Sequence, residues 1–381
     1  MEHHHYSSSS SLPFFLFSLI IFILFISQLL KLLDKKSKVT SKKKEKLPPG
    51  PWTLPLIGSI HHLVGKSLPH HRMRDLAKKY GPLMHFKLGE ASIMVVSSPE
   101  VAKEVFKTFD INFAERPRHL GADILTYGST NIATARYGGY WKQLRRICSM
   151  ELLSPKRVSS FKSIREEEDL YGAGIETSSA VIEWTISELV KNPEAMARAQ
   201  EEVRKAFGTK ESSSSSSSSL ENLTYLKAVI KETMRLHPPF PLLLPRECRE
   251  TCEINGYTIA AGSQVIVNAW AIGRDPNHWG GEEDAERFRP ERFLECSIDY
   301  KGCDVEFIPF GAGRRICPGI YFAVSSIEIC VAQLLYYFDW KVPKNGDIEG
   351  ELDMTEYFGS TARRKNDLIL VPIPWNSSNN N

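Results

Sequence analysis

From Leu12 to Leu30 the chain reads LPFFLFSLIIFILFISQLL, a run with no charge and few polar groups. As a helix rising ~1.5 Å per residue it nearly crosses a ~30 Å hydrocarbon core. A lysine-rich stretch, Lys31 to Lys46, comes next, and then LPPGPWTLPLIG from Leu47 to Gly58, whose prolines cannot continue a helix. Beyond it the spacing of apolar positions predicts a helix in SLPHHRMRDLAKKYG, a hairpin in MHFKLGEASIMVVSS and a helix in PEVAKEVFKTF. A helix pair is expected from Trp141 to Ser160. YGAGIETSSAVIEWTISELV reads as an apolar helix carrying small residues, and PEAMARAQEEVRKAFG as an amphipathic one ending at Gly208. The run Ser212 to Ser219 is a low-complexity loop. LENLTYLKAVIKETMRLHPP is a helix stopped by Pro238-Pro239. A long apolar helix is expected from about Ile320 to Phe338. Helices dominate and short strands fill the gaps, so the expected class is mainly α with small β-sheets (α+β). No internal repeat is evident.

Composition narrows the function classes. The chain has 381 residues, 42% of them hydrophobic, enough for one large domain or two smaller ones. A net charge of +3 without a basic stripe interleaved with aromatics argues against nucleic acid. Seven cysteines, odd in number and forming no C-x-x-C pair, indicate neither a disulfide framework nor a structural zinc site. They suit a reducing compartment. A cleaved signal peptide is the rival reading of the N-terminus, but the apolar run is long and no small-residue cleavage site follows. By the positive-inside rule the lysine flank and everything after it face the cytoplasm.

The strongest chemical signal is FIPFGAGRRICPG, Phe307 to Gly319. Phe310, Gly313, Arg315, Cys317 and Gly319 fit F-x-x-G-x-R-x-C-x-G. A thiolate ligand needs a lowered pKa and nearby backbone N–H donors, and glycines let the main chain curl around the sulfur. The helix starting after Pro318 turns its positive end toward that sulfur. Arg315 has the donor fork to pair with a carboxylate such as a haem propionate. The bland alternative is a buried free cysteine after a glycine turn.

On these residues the chain resembles the cytochrome P-450 family, whose proximal cysteine thiolate pushes electron density into haem iron. The resemblance implies haem b (iron protoporphyrin IX) held by Cys317. It also implies a structural triad of Glu232 and Arg235, from E-x-x-R in KETMR, with Arg292 of FRPERF; alone, E-x-x-R would be a surface salt bridge. Trp141 and Arg145 match W-x-x-x-R, and Arg246 of LLPRE matches a second arginine, which implies propionate contacts. Ala173, Gly174, Glu176 and Thr177 in YGAGIETSS resemble A-G-x-[D/E]-T, implying a catalytic helix. There Gly174 admits O2 and substrate, Thr177 donates to bound oxygen and Glu176 relays protons. Loops matching substrate-contact positions are Phe113 to Tyr127, Phe240 to Leu244 and Phe358 to Ala362. They put Phe240, Leu242, Leu243, Ser360 and Thr361 beside a hydrophobic small molecule, with ordinary core packing as the even alternative for any one of them. Segments such as GPLMHFKLGE and FGSTARRKNDLILVPIPW resemble the plant A-type group, whose nearest branch oxidises terpenoids. Implied partners are O2, an NADPH-dependent reductase and the endoplasmic reticulum membrane, crossed once with the catalytic domain in the cytoplasm. Lys142, Arg146 and Arg314 form a cationic face that could dock the reductase or simply be solvated.

The resemblance breaks at one place. Between the REEE segment and the helix with Thr177, Glu168 and Asp169 join what several helices separate in the family. Four helices of ~10–14 residues with their connections amount to roughly a hundred residues. The expected division is a lumenal tail 1–11, an anchor 12–33, a basic and proline-rich linker 34–58, an incomplete haem-thiolate monooxygenase domain 59–376 and a disordered tail 377–381. Two function classes follow: a monooxygenase, or a non-catalytic, membrane-anchored haem-binding remnant. An isomerase or dehydratase of the same family would need no Glu176–Thr177 pair.

Overall fold

The computed structural model describes residues 12–37, 46–160, 173–208, 220, 222–345, 348–349, 352–359 and 361–375. The tails 1–11 and 377–381, part of the linker, the junction at 168 and 169, the serine run 212–219 and Ser360 lie outside the described residues.

Helix α1 (Leu12–Ser37) carries the apolar stretch Phe15–Gln28, with Phe15, Phe17, Phe22 and Phe25 exposed. Helix α2 (Pro69–Tyr80) starts on a proline, whose missing N–H costs nothing at a helix start. The expected hairpin is β1 (Leu83–Leu88) and β2 (Ala91–Val96), antiparallel with Phe86 opposite Ile93. Helix α3 (Pro99–Lys103) is capped by the Ser98 hydroxyl, then widens to a π-helical turn at Glu104–Thr108. The region Trp141 to Ser160 holds α4 (Gly139–Ile147), a π-helical turn at Cys148–Leu152 and a short helix at Pro155–Ser160.

The main helical layer consists of α5 (Ala173–Lys191), α6 (Pro193–Gly208), α7 (Thr224–Leu236) and α8 (Ile320–Tyr337). Val181, Leu189, Val203, Leu226, Ile230, Val331 and Leu335 share one buried core. Helix α8 is long and apolar enough to cross a membrane by composition. Its Val324, Ile327, Val331 and Leu335 recur every three or four residues and are buried against the layer, so it is a core helix. Thr185 and Ser187 sit buried in α5 with their hydroxyls satisfied, because each donates to the carbonyl four residues earlier.

A four-stranded sheet grows from the β1-β2 hairpin. It is completed by β3 (Arg246–Glu247) and β6 (Gln264–Val267), with β2 and β6 parallel; β4 (Cys252–Ile254) and β5 (Tyr257–Ile259) form a separate hairpin. Strand β7 (Phe338–Lys341) pairs with β10 (Val371–Pro374), and β8 (Glu356–Phe358) with β9 (Ala362–Arg364). The architecture is helical with small sheets, as expected.

Candidate active site

The sulfur loop is built by its own backbone. Gly313 has φ +66°, and a Cβ there would sit 2.5 Å from Asp110 Oδ1 and 2.7 Å from the Phe106 carbonyl, so no other residue fits. A 3-10 turn follows at Gly313–Arg315, and the Cys317 N–H donates to the Phe310 carbonyl at 3.0 Å. The Phe310 ring is half-buried against Tyr300, 5.6 Å between centroids. At the start of α8 the Gly319 N–H donates to Cys317 Sγ at 3.4 Å. Burial pushes the Cys317 thiol up, while that N–H and the Arg145 guanidinium pull it down. The thiol is therefore held above its ordinary value, and the lowered pKa that a thiolate ligand needs is not supplied by the loop alone. Ligation of a cation must supply the rest. An open cleft of about 270 Å³ lies beside the sulfur, lined by Arg145, Leu153, Ile316 and Tyr321 among others.

Arg145 donates to the Ile316 carbonyl at 2.5 Å, holding α4 against the sulfur loop. The Trp141 indole donates to the Ile132 carbonyl at 2.9 Å, and its ring lies 4.2 Å from the Arg315 guanidinium. Arg315 gives its other donors to the Ala114 and Ala135 carbonyls, both at 2.7 Å, and its Nη1 is buried with no partner among the described residues. Arg246 bonds the Phe113 and Ala312 carbonyls. Arg116, which no motif singled out, bonds the Ala133, Leu244 and Pro245 carbonyls.

These three guanidiniums form a buried cationic cluster whose hydrogen bonds all go to main-chain oxygens. Burial first, and the charges of Arg246 and Arg315 next, hold Arg116 well below the usual arginine range. Burial likewise brings Arg246 down to about 9, with Asp110 opposing and Arg315 adding to the fall. Arg315 falls to about 10, again through burial, with Glu115 opposing. Clustered buried cations are costly unless an anion joins them. The orphaned Arg315 donor beside Cys317 fits one carboxylate arm of a haem. On this observation the residues present fit that group.

On the far side, α5 begins at Ala173. The nearest atom to a Cβ on Gly174 would be Cε1 of Phe322 in α8, at 3.6 Å, so what Gly174 faces is an aromatic ring. Glu176 is exposed, and its Oε1 accepts from the buried Thr361 hydroxyl at 2.9 Å. Thr177 is half-buried on the same turn. The Thr361 loop is tied to the Pro238-Pro239 turn, because the Ala362 N–H donates to the Pro239 carbonyl at 2.8 Å. Phe240 is half-buried; Leu242 packs on the core between α2 and the sheet, and Leu243 on the core around Phe113. Leu243 adopts φ +51°, unusual for a leucine and a mark of local constraint. The structure thus brings Glu176 and Thr361 together, and separately groups Cys317, Arg145 and Arg315.

Glu232, Arg235 and Arg292 meet as a buried cluster. Arg235 reaches both Glu232 oxygens at 2.8 Å, and Arg292 Nε reaches Oε1 at 3.0 Å. Arg235 also donates to the Gly273, Ala285 and Arg287 carbonyls, stitching α7 to the segment that carries Arg292. Of the cationic surface residues, Arg314 pairs with Asp110 at 3.1 Å and Lys142 lies over the Tyr137 ring. Cys296 and Cys303 are exposed.

Two blocks of the chain, residues 48–169 and 166–369, match the model of the family described as Cytochrome P-450. Premnaspirodiene oxygenase of Hyoscyamus muticus is 39% identical over 488 aligned positions, covering 90% of this chain and 96% of the relative. The 5-epiaristolochene 1,3-dihydroxylase of Nicotiana tabacum is 37% identical over 490, with 90% and 96% covered. Both alignments are longer than the 381-residue chain, so a long stretch of each relative has no counterpart here. The two family blocks overlap at 166–169. Among solved structures, a zebra fish cytochrome P-450 determined with progesterone superposes with a TM-score of 0.66 at 21% identity. It covers 81% of this chain and 100% of its own.

Proposed function

This chain belongs to the cytochrome P-450 family and is a monooxygenase by kinship, and we propose that it hydroxylates a terpenoid hydrocarbon skeleton. Haem, which the family implies, supplies the oxygen chemistry when bound: one atom of O2 enters a C–H bond and the other leaves as water, with two electrons and two protons consumed. The chain's own residues do the rest. Cys317 is the metal ligand, steadied by the Gly319 N–H. Arg315, Arg246 and Arg116 hold the two carboxylate arms, with Trp141 packed under Arg315 and Arg145 fixing the loop. Glu176 and Thr177 pass protons from solvent, Ala173 and Gly174 are the small residues of the same helix start, Gly174 facing the Phe322 ring, and Thr361 orients the Glu176 carboxylate. Phe240, Leu242 and Leu243 give the substrate an apolar, shape-selective wall, with Ser360 and Thr361 as its polar edge. Electrons come from NADPH through a reductase that docks on the face with Lys142 and Arg146. The uncharged, mainly apolar stretch of α1 anchors the chain in the endoplasmic reticulum membrane, with the catalytic part in the cytoplasm.

The observation that carries this reading is the arginine cluster with an unpartnered buried donor, two residues before a cysteine whose loop tolerates only glycine at 313. The test is turnover. The membrane-bound chain, a plant reductase, NADPH and a panel of sesquiterpene hydrocarbons should give an alcohol carrying oxygen from isotopically labelled O2. A second reading, a haem-binding remnant without activity, is favoured by the break at 166–169, since helices missing there would leave the substrate exposed to water. NADPH consumption without labelled product selects that reading.

A further inference from the structure

Away from Cys317, three histidines converge on one carboxylate. Glu356, the first residue of β8, accepts from His70 Nε2 and His71 Nε2 on the same oxygen, Oε2, at 3.1 Å each. The three atoms lie within 4.8 Å of one another. The other oxygen pairs with His237 Nδ1 at 3.3 Å, and His237 Nε2 reaches Glu188 of α5 at 2.8 Å. His237 is stacked on Trp184, 3.9 Å between centroids. His70 is fully buried, Glu356 is 9% exposed and His71 is 29% exposed.

A single histidine on a carboxylate is an ordinary hydrogen bond. Two imidazole nitrogens aimed at one oxygen also form the triangle a small cation needs. A tetrahedral ion with bonds of ~2.0–2.1 Å holds its ligand atoms about 3.3 Å apart. The two nitrogen–oxygen separations of 3.1 Å are close to this, and the nitrogen–nitrogen edge lies within 4.8 Å. Ligation through Nε2 would put the His70 proton on Nδ1, which is buried with no partner among the described residues. His237, braced by Glu188, grips the oxygen left over, as outer partners of metal-bound carboxylates do. The neighbouring cation, Arg274, is engaged by Glu286 at 3.0 Å and by the Trp270 ring at 4.0 Å.

We propose that His70, His71 and Glu356 form a binding site for a borderline divalent transition ion, with zinc as its natural match. Two imidazoles and one carboxylate are a zinc donor set, and water would take the fourth position on the side of the partly exposed His71. The ion would clamp α2 to β8, the strand leading into the Thr361 loop. It is separate from the haem and does not depend on it.

The test is zinc binding to the purified full-length chain after chelator treatment, followed by metal analysis and thermal unfolding. The wild type should retain one equivalent more than His71→Ala and Glu356→Gln, and zinc should raise its Tm by several degrees while leaving both variants unmoved. Affinity in the variants should fall at least about tenfold. His71→Ala removes a side chain already in contact with solvent, so its fold is expected to persist and is checked by circular dichroism. Equal zinc in all three proteins would place the metal on the N-terminal histidines or free thiols and overturn the proposal. So would a wild type that retains none.

Discussion

The Arg235 guanidinium clasps the Glu232 carboxylate through two parallel hydrogen bonds of 2.8 Å, with both side chains fully removed from solvent. Glu232 is also the only carboxylate that Arg235 bonds among the described contacts, and it accepts from Arg292 and from the Arg289 N–H as well. Glu232→Gln therefore leaves the buried Arg235 guanidinium facing a neutral group, while Arg292 keeps Asp284 at 3.2 Å. A loss of about 3–5 kcal/mol is expected, enough to consume much of a domain's stability. Urea unfolding with circular dichroism measures it; a midpoint unchanged from the wild type would show that the pair carries no structural weight.

Thr361 and Glu176 meet at 2.9 Å across 185 residues of sequence. Thr361→Val keeps the shape and removes the donor, costing about 1 kcal/mol or less in stability. If Thr361 orients Glu176 for proton delivery, product formed per NADPH should fall by about tenfold or more, with substrate binding little changed. Comparing NADPH consumption with product yield reads this directly.

Arg116 offers a sharper test of the cation cluster. Arg116→Leu relieves repulsion that burial makes severe, so the haem-free chain should be as stable as the wild type or more so. Haem retention should fall, because an anion-binding group has gone. Transfer of haem to a scavenging apoglobin gives the rate; unchanged retention would remove Arg116 from the propionate set.

Much of this site is written in the sequence because it is local. The five motif positions from Phe310 to Gly319 act through one turn and its glycines, and Glu232 and Arg235 share a helix face by spacing alone. The hairpin Leu83–Val96 and helix Ile320–Tyr337 follow from period and turn chemistry. What could not be read are contacts between distant segments. Arg116 joins Arg246 and Arg315 only after folding, and Glu356 meets His71 across 285 residues. The π-helical turn at Glu104–Thr108 also escaped, since apolar spacing signals a helix without fixing its hydrogen-bond register. An Arg-Pro pair in AERPRH, charged within an apolar loop, was the one hint of Arg116.

The Glu188–His237–Glu356 chain predicts a specific acid sensitivity. Both carboxylates lie below the usual carboxylate range despite burial, through hydrogen bonds to His237 and, for Glu356, to His70 and His71. A carboxylate with a depressed folded pKa stabilises the fold fully above its ordinary value near 4.5 and loses that contribution as pH falls below it. Metal-free wild type should therefore lose stability below about pH 4.5 with a slope of up to ~1.4 kcal/mol per pH unit per group. Glu356→Gln, weaker at neutral pH, should show a shallower acid limb, read from urea midpoints between pH 3 and 7. Parallel limbs would contradict the assignment.

The ligand role of Cys317 is tested most directly by the absorbance of the haem-loaded, reduced chain under carbon monoxide. The thiolate reading predicts a strongly red-shifted Soret band that disappears in Cys317→Ala. A band identical in the variant, or a wild type that stays colourless with haem in excess, would contradict it.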